Sequence, residues 1–535
     1  MEQQDLQKRL LIALALSFLV FIAFTYFFPT QNVSQTANGN ATQSSTMNQA
    51  PDANTKSAPQ TAGTSAAAAA PVTVSQSLAT VTSNHFIMTI DTYGRIAQME
   101  LLESKYKDEN GKALKILDPN EVKPLEIRFS DAALNEEAFK TPYTIVGSDT
   151  IDVTTASGTL VLEQRLSSLT VTKKITFQPT GAYDIAVTTS SEAPYFITPG
   201  YRPVADHSMY MVVRGALIKT NDDIIKTIED GDAKGDESFA DAKIASALDR
   251  YYASLFYDFD RGLDVSVLKE KDDNPLIFVK GNSNMNLHGY LGPKDHQVLK
   301  AINPELTDAI EFGWFSFLAI PFFKVLLWIH SYIGNWGWAI IIFTLLVKTV
   351  LFPLSYKGMM SMQKLKDLAP KMKDLREKYK GDPAKMNMQM MELYKKHGAN
   401  PMGGCLPMLL QIPVFFALYR VLLNADELQG ASWMLWINDL SRMDPYFILP
   451  VLMGLSMFVQ QKITPSNFTD PLQEKIFRWF PVMMTVFFVY FPAGLVLYWL
   501  VNNIFTIAQQ YYINHMYAKH KEAAIALHHK GKDGK

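Results

Sequence analysis

The chain has 535 residues, 48 % of them hydrophobic, with 50 Lys/Arg against 52 Asp/Glu and a single cysteine. That length predicts several domains, and the composition permits both membrane spans and a soluble core. Cys405 alone excludes an intramolecular disulfide and a cysteine-based zinc cluster, and the lack of a GxxxxGK[ST] loop argues against direct nucleotide hydrolysis.

Lys8 and Arg9 precede an apolar run, Leu10 to Phe28, of about 19 residues or about 28 Å as a helix. A secretory signal has a shorter apolar region and an A-x-A-like cleavage site. Residues 1–30 therefore predict an uncleaved transmembrane signal anchor with its N-terminus in the cytoplasm; a cleaved signal peptide is the alternative. Residues 31–79 hold no aromatic residue and only Asp52 and Lys56 as charges. Such a segment cannot bury a core and reads as a disordered periplasmic linker.

Between 80 and 310 the apolar period becomes two. In "LTVTKKITF", Leu169, Val171, Ile175 and Phe177 alternate with Thr170, Thr172, Lys174 and Thr176. The turn "PTG" (179–181) leads into "YDIAVTT", where Tyr183, Ile185 and Val187 share a face. Half-buried antiparallel strands have this pattern, so 80–310 predicts a large β-sandwich, with a helical insertion near 240–256. The anchor before it places that domain in the periplasm.

All eight tryptophans lie beyond residue 311, most of them at ends of apolar runs, where an interfacial belt holds indole rings. Residues 311–335 are interrupted by Pro321 and Lys324 and predict an amphipathic helix on the outer surface. Five spans follow, at roughly 336–355, 403–424, 446–461, 477–491 and 494–513, within a core of 336–515. With the anchor they make six. Residues 356–397 carry eleven Lys/Arg, whereas 425–445 has only Arg442 beside four acids. Positive loops stay inside, so both termini, including the tail 516–535, are expected in the cytoplasm.

Lys348 sits inside the span "GWAIIIFTLLVKTVLFPL" (337–354). A charge near a bilayer centre costs about 2.5–3.5 kcal/mol. Thr344 lies one turn earlier on the same face, and Gln411, Asn502, Thr506 and Gln509 supply polar groups from other spans. These groups could simply join helices, at about 0.6 kcal/mol each. No Asp or Glu lies in the last five spans to neutralise Lys348, which favours a hydrated cavity open to the cytoplasm.

The segment 356–397 reads as a basic helical hairpin whose turn "GDP" (381–383) suits an N-cap and first helical position. Met359, Met360, Met362, Met372, Met386, Met388, Met390 and Met391 cluster there. They either pack the hairpin or form an adaptable surface for varied apolar partners. Its lysines also suit lipid headgroups or ribosomal RNA. Phe415, Phe487, Tyr498 and Trp499 read, from the residues alone, as lipid-facing or core. Catalysis finds little support: "GLSM" (454–457) lacks the glycine that follows a rhomboid serine, and His330, His397 and His515 sit at span ends. No metal-ligand cluster is visible in the spans.

The stretches "NPMGGCLPMLLQIPVFFALY" (400–419), "LWINDLSRMDPYFILPVLMG" (435–454) and "FPAGLVLYWLVNN" (491–503) closely resemble the YidC membrane protein insertases, relatives of the Oxa and Alb insertases. The resemblance covers essentially 312–515. The anchor, linker and β-domain resemble the Gram-negative type, whose periplasmic domain is a β-supersandwich similar to sugar-binding folds. It implies a polytopic α-helical protein of six transmembrane helices with no catalytic residues, metal or cofactor. It implies a cytoplasm-open groove at Lys348, Thr344, Gln411, Asn502 and Thr506, where most relatives carry arginine at the position of Lys348. Phe415, Phe487, Tyr498 and Trp499 become a hydrophobic slide, with tryptophan replacing a usual tyrosine at 499. The hairpin would make first contact. Partners implied are nascent membrane proteins, the Sec translocon, the ribosome (weakly or transiently) and membrane lipids, not DNA. Two other classes are a secondary transporter, which usually has inverted repeats and coupling carboxylates, and a membrane-anchored periplasmic sugar-binding protein.

Overall fold

A computed structural model describes residues 76–108, 110–205, 212–399, 406–464 and 471–530. The anchor expected at 1–30 and nearly all of the linker lie outside the described residues. The described chain forms two compact units, residues 368–397 and the remainder.

The larger unit begins with β-structure. Strands Thr170–Phe177 and Ala182–Thr189 pair antiparallel, with Ile175 opposite Ile185. Val171, Ile175, Phe177, Tyr183, Ile185 and Val187 all turn inward, as the period-two pattern requires. Gly181 closes the turn at φ +92°, where an added Cβ would lie 2.6 Å from Leu291 O; only glycine fits there. These strands belong to a nine-stranded sheet running in space from Ile225–Glu229 to Thr144–Ile145. Two five-stranded sheets accompany it, and one hydrophobic core draws on all three: Val81 and Met88, Ile175 and Leu287, Val265 and Val279. The first strand, Ser77–Thr82, starts slightly before the expected boundary at 80.

Two departures are instructive. Residues 240–256 contain no helix; they form the strand Ile244–Leu248, the start of Tyr252–Tyr257 and the end of Glu237–Ala242. Ile244 to Leu248 are buried at every position. A strand covered on both faces is apolar throughout, and its pattern cannot be told from that of a buried helix. Lys173 lies on the inward face and is fully buried, its Nζ donating to Gly94 O at 3.0 Å and Leu125 O at 2.8 Å.

The helices, in order, are α1 (Ala132–Lys140), α2 (His296–Ile302), α3 (Ser316–Ile333), α4 (Trp336–Val350), α5 (Phe352–Lys378), α6 (Pro383–Lys396), α7 (Leu406–Asn424), α8 (Ile448–Ile463), α9 (Pro471–Phe488) and α10 (Ala493–Lys530). Among the described helices, α3 is by itself long and apolar enough to cross a membrane; α4 and α5 qualify together, with a 64° bend between them. Its face of Ala319, Phe323, Leu326 and Ile329 is buried, while Phe317, Trp328 and Tyr332 are exposed. Exposed Lys324 interrupts the outward apolar face of α3. The last helix runs on through Lys530, so the described part of the tail continues α10.

In the smaller unit, Asp382 caps α6 by accepting from Lys385 N at 3.0 Å, and Pro383 takes the first turn, as the "GDP" signal requires. Tyr394 Oη donates to Met372 Sδ at 3.8 Å, so Met372 packs inside the hairpin. Met388 and Met391 stand exposed, and Met386 and Met390 are half-buried. In the larger unit Met359 is buried, while Met360 and Met362 are half-buried.

Candidate functional site: a polar seam between helices

Lys348 lies near the C-terminal end of α4, just before the bend. Its Nζ donates to Thr506 Oγ1 of α10 at 3.0 Å, and Thr506 donates onward to Asn502 O at 2.7 Å. Thr506 and Asn502 are one turn apart, so the spacing that suggested a shared face brings both to the same seam. Asn502 Oδ1 and Gln509 Oε1 are buried without a protein partner. Among the described residues no carboxylate forms an ion pair with Lys348. A half-buried cation bonded only to a neutral hydroxyl can pair with a negative group brought to it.

Thr344 and Gln411 are placed differently from the other three. Thr344 is buried and donates to Ile340 O of its own helix at 2.7 Å, which satisfies its hydroxyl locally. Gln411 Nε2 donates to Tyr498 Oη at 2.6 Å, tying α7 to α10. Tyr498, expected on the slide, is buried and held by that bond. The neighbouring Trp499 also reaches α7, at Phe415, one turn beyond Gln411. Its ring lies 4.8 Å from Phe415 and 4.9 Å from Phe488. Phe487 joins that cluster through Phe488 (5.5 Å) and Phe491 (4.8 Å). Phe415, Phe487 and Trp499 thus belong to one aromatic patch shared by α7, α9 and α10.

Two further links were not singled out from the sequence. Asn503 Nδ2 donates to Ser456 Oγ at 3.0 Å, joining α10 to α8. Gly454 lets α9 approach so closely that a Cβ would fall 1.8 Å from Thr485 Oγ1, the use that membrane helices make of small residues. The adjacent "NN" (502–503) is the one signal that could have flagged the first link.

At the other end of the seam, the connection between α7 and α8 folds over the helix ends. Asn335 Nδ2 donates to Ser432 O and Trp433 O, while Gly337 accommodates the Trp433 ring, which a Cβ would meet at 2.1 Å. The first amides of α10 are capped there as well: Ala493 N donates to Arg442 O and Gly494 N to Leu440 O. Buried Asp444 accepts from Trp436 Nε1, Tyr446 N and Leu449 N.

A β-rich domain followed by apolar helices matches two family models in tandem. The YidC periplasmic domain matches residues 78–325, and the family described as 60Kd inner membrane protein matches residues 328–521. The chain is 50 % identical over 526 residues to the membrane protein insertase YidC of Campylobacter jejuni, covering 97 % of this chain and 98 % of that one. It is 49 % identical to that of Wolinella succinogenes, covering 98 % of both, and 45 % identical to that of Helicobacter pylori 26695, covering 96 % and 97 %. The chain belongs to the YidC membrane protein insertase family. That family is not one of catalytic enzymes.

Proposed function

We propose that this protein inserts nascent membrane proteins into a bacterial inner membrane and helps them fold, using the seam at Lys348, Asn502 and Thr506, with Thr344 and Gln411 behind it, as a hydrophilic groove open to the cytoplasm. The observation that carries this reading is the Lys348–Thr506 contact, a cation held between two apolar helices with no carboxylate beside it. A substrate helix with a polar outer flank cannot cross hydrocarbon alone. A charged, wet groove reaching part-way shortens the dry path and favours flanks bearing Asp or Glu. The apolar part of the substrate passes along Phe415, Phe487 and Trp499 into lipid. Burial of about 20 apolar residues drives the step, so no nucleotide is needed.

The finer topology belongs to the same reading: six spans with both termini cytoplasmic, the β-domain a periplasmic supersandwich, and 311–335 lying at the outer interface. The exposed methionines of α6 make first contact with substrate, beside anionic lipid and a transiently bound ribosome, and the protein works alone or with the Sec translocon. The test is replacement of the endogenous insertase in a depleted bacterium. Lys348→Arg should restore growth and insertion of a small, acidic-flanked membrane protein, and Lys348→Ala should not. Normal insertion of several substrates by the alanine variant would overturn the role of the charge.

A further inference from the structure

Outside the seam, a densely hydrogen-bonded junction in the larger unit joins the β-domain to the segment just after α7. Asp426 is fully buried. Its Oδ2 accepts from Lys105 Nζ at 2.9 Å and Tyr106 Oη at 2.7 Å. Glu427 Oε1 accepts from His296 N at 3.0 Å, Gln429 bonds Tyr252 Oη, and Arg250 Nε donates to Leu423 O at 2.7 Å. Arg250 thereby caps the C-terminal carbonyls of α7 from another domain, where a cation also suits the helix dipole. Gly430 sits against Lys105, which an added Cβ would meet at 3.0 Å. Three separate stretches of the β-domain, around 105, 251 and 296, thus grip residues 423–430. The same connection continues directly into Ser432, Trp433, Leu440 and Arg442, which cover the ends of α4 and α10.

We infer that residues 425–444 are the outer plug of the groove, and that Lys105 and Tyr106 are positioning residues that latch it closed through Asp426. The inference rests on the insertase reading for the existence of the groove. Its physical core is the asymmetry of buried ion pairs. The Asp426 side chain is fully buried and Lys105 is 26 % exposed, so deleting the cation strands the carboxylate, whereas deleting both leaves an apolar contact that is often as stable as the original. Asp426 is at home only while Lys105 and Tyr106 face it. Without them the carboxylate gains by moving out to water, and it must take the covalently attached plug along. A salt bridge that served only the stability of the β-domain would open nothing at the far ends of α4 and α10.

The experiment uses the full chain in spheroplasts, with Cys405→Ser and a single reporter, Thr344→Cys, probed from outside by a membrane-impermeant charged maleimide. The reporter is buried beneath the plug and should label slowly. Lys105→Met should raise the outside labelling rate about tenfold or more, because a stranded buried charge is among the costliest single changes. Adding Asp426→Leu should return the rate to within about twofold of the parent, the non-additivity expected of a contacting pair. Trypsin resistance of the chain checks that each variant is folded. Should Lys105→Met not accumulate, Tyr106→Phe makes the same comparison with one bond removed. An unchanged rate in the folded single variant, or a double variant labelled as fast as the single one, overturns the latch. The readout involves no substrate, so failure of the latch and failure of the insertase reading are separable.

Discussion

Lys348 Nζ and Thr506 Oγ1 meet at 3.0 Å across the contact between α4 and α10. The threonine hydroxyl accepts from the lysine while donating to Asn502 O. The cation is held by an uncharged acceptor, so the site keeps its positive field for whatever enters it.

That arrangement separates charge from orientation. A hydrogen bond to a charged group contributes about 1.5–3 kcal/mol, so Thr506→Val should slow insertion of an acidic-flanked substrate about tenfold or more without abolishing it. Lys348→Met, which removes the charge, should reduce it far more. Insertion rates measured against substrates with one to three acidic flanking residues check this. The Thr506→Val defect should stay constant along that series, and the Lys348→Met defect should grow.

Gln411 and Tyr498 form the second tie between helices, at 2.6 Å. Tyr498→Phe leaves the half-buried Gln411 amide without its acceptor and should destabilise the chain by about 1 kcal/mol. Gln411→Leu/Tyr498→Phe together should recover most of that loss. Thermal unfolding of the purified chain in detergent would reveal the difference.

Gly454 and Thr485 set how closely α8 and α9 pack. Gly454→Ala places a methyl group where Thr485 Oγ1 stands, and overpacking of this kind costs about 1–3 kcal/mol. Thr485→Ala in the same chain should rescue it, again read by melting temperature. A Gly454→Ala chain as stable as the parent would show that these helices separate freely.

Lys173 gives a pH signature confined to the β-domain. Burial, partly offset by the nearby Asp91, pulls its pKa down to about 7 from 10.5. Between those values the unfolded chain binds a proton that the folded chain does not, so stability rises with pH across that window and is flat below it. Relative to Lys173→Met, the parent should gain on the order of 3–5 kcal/mol between pH 7 and 10.5. Denaturant unfolding of both chains at several pH values checks the sign, and a parallel pH dependence in the two would refute it.

Trp499 tests the aromatic patch. Each ring pair contributes about 0.5–1.5 kcal/mol beyond burial, and Trp499 closes on two rings, Phe415 and Phe488. Trp499→Ala should lower both melting temperature and photo-crosslinking of substrate to position 415, whereas Trp499→Tyr should retain most of each.

Much of this was legible from residue patterns. The alternation in 169–189, the "GDP" helix start and the 502–506 spacing depend on neighbours along one strand or helix, where geometry is local. Lys348 stood out because a charge in an apolar run is costly wherever the chain goes next. The miscast segment at 240–256 and the buried Lys173 were not legible, since burial on a second face is imposed by other sheets.

The order of the parts was already present in the residue pattern: a β-rich region, then apolar helices, with Lys348 deep inside one of them and basic residues gathered in one hairpin. Periodicity and charge suffice for that. Packing between distant segments settled that Thr506, and not Thr344, receives Lys348, that Tyr498 is buried against Gln411 while Trp499 joins Phe415, and that Asp426 is gripped by Lys105 and Tyr106 from some 320 residues away. Those pairings depend on how helices rotate and domains dock, and many long-range contacts settle that together, none of them written in any single stretch of chain.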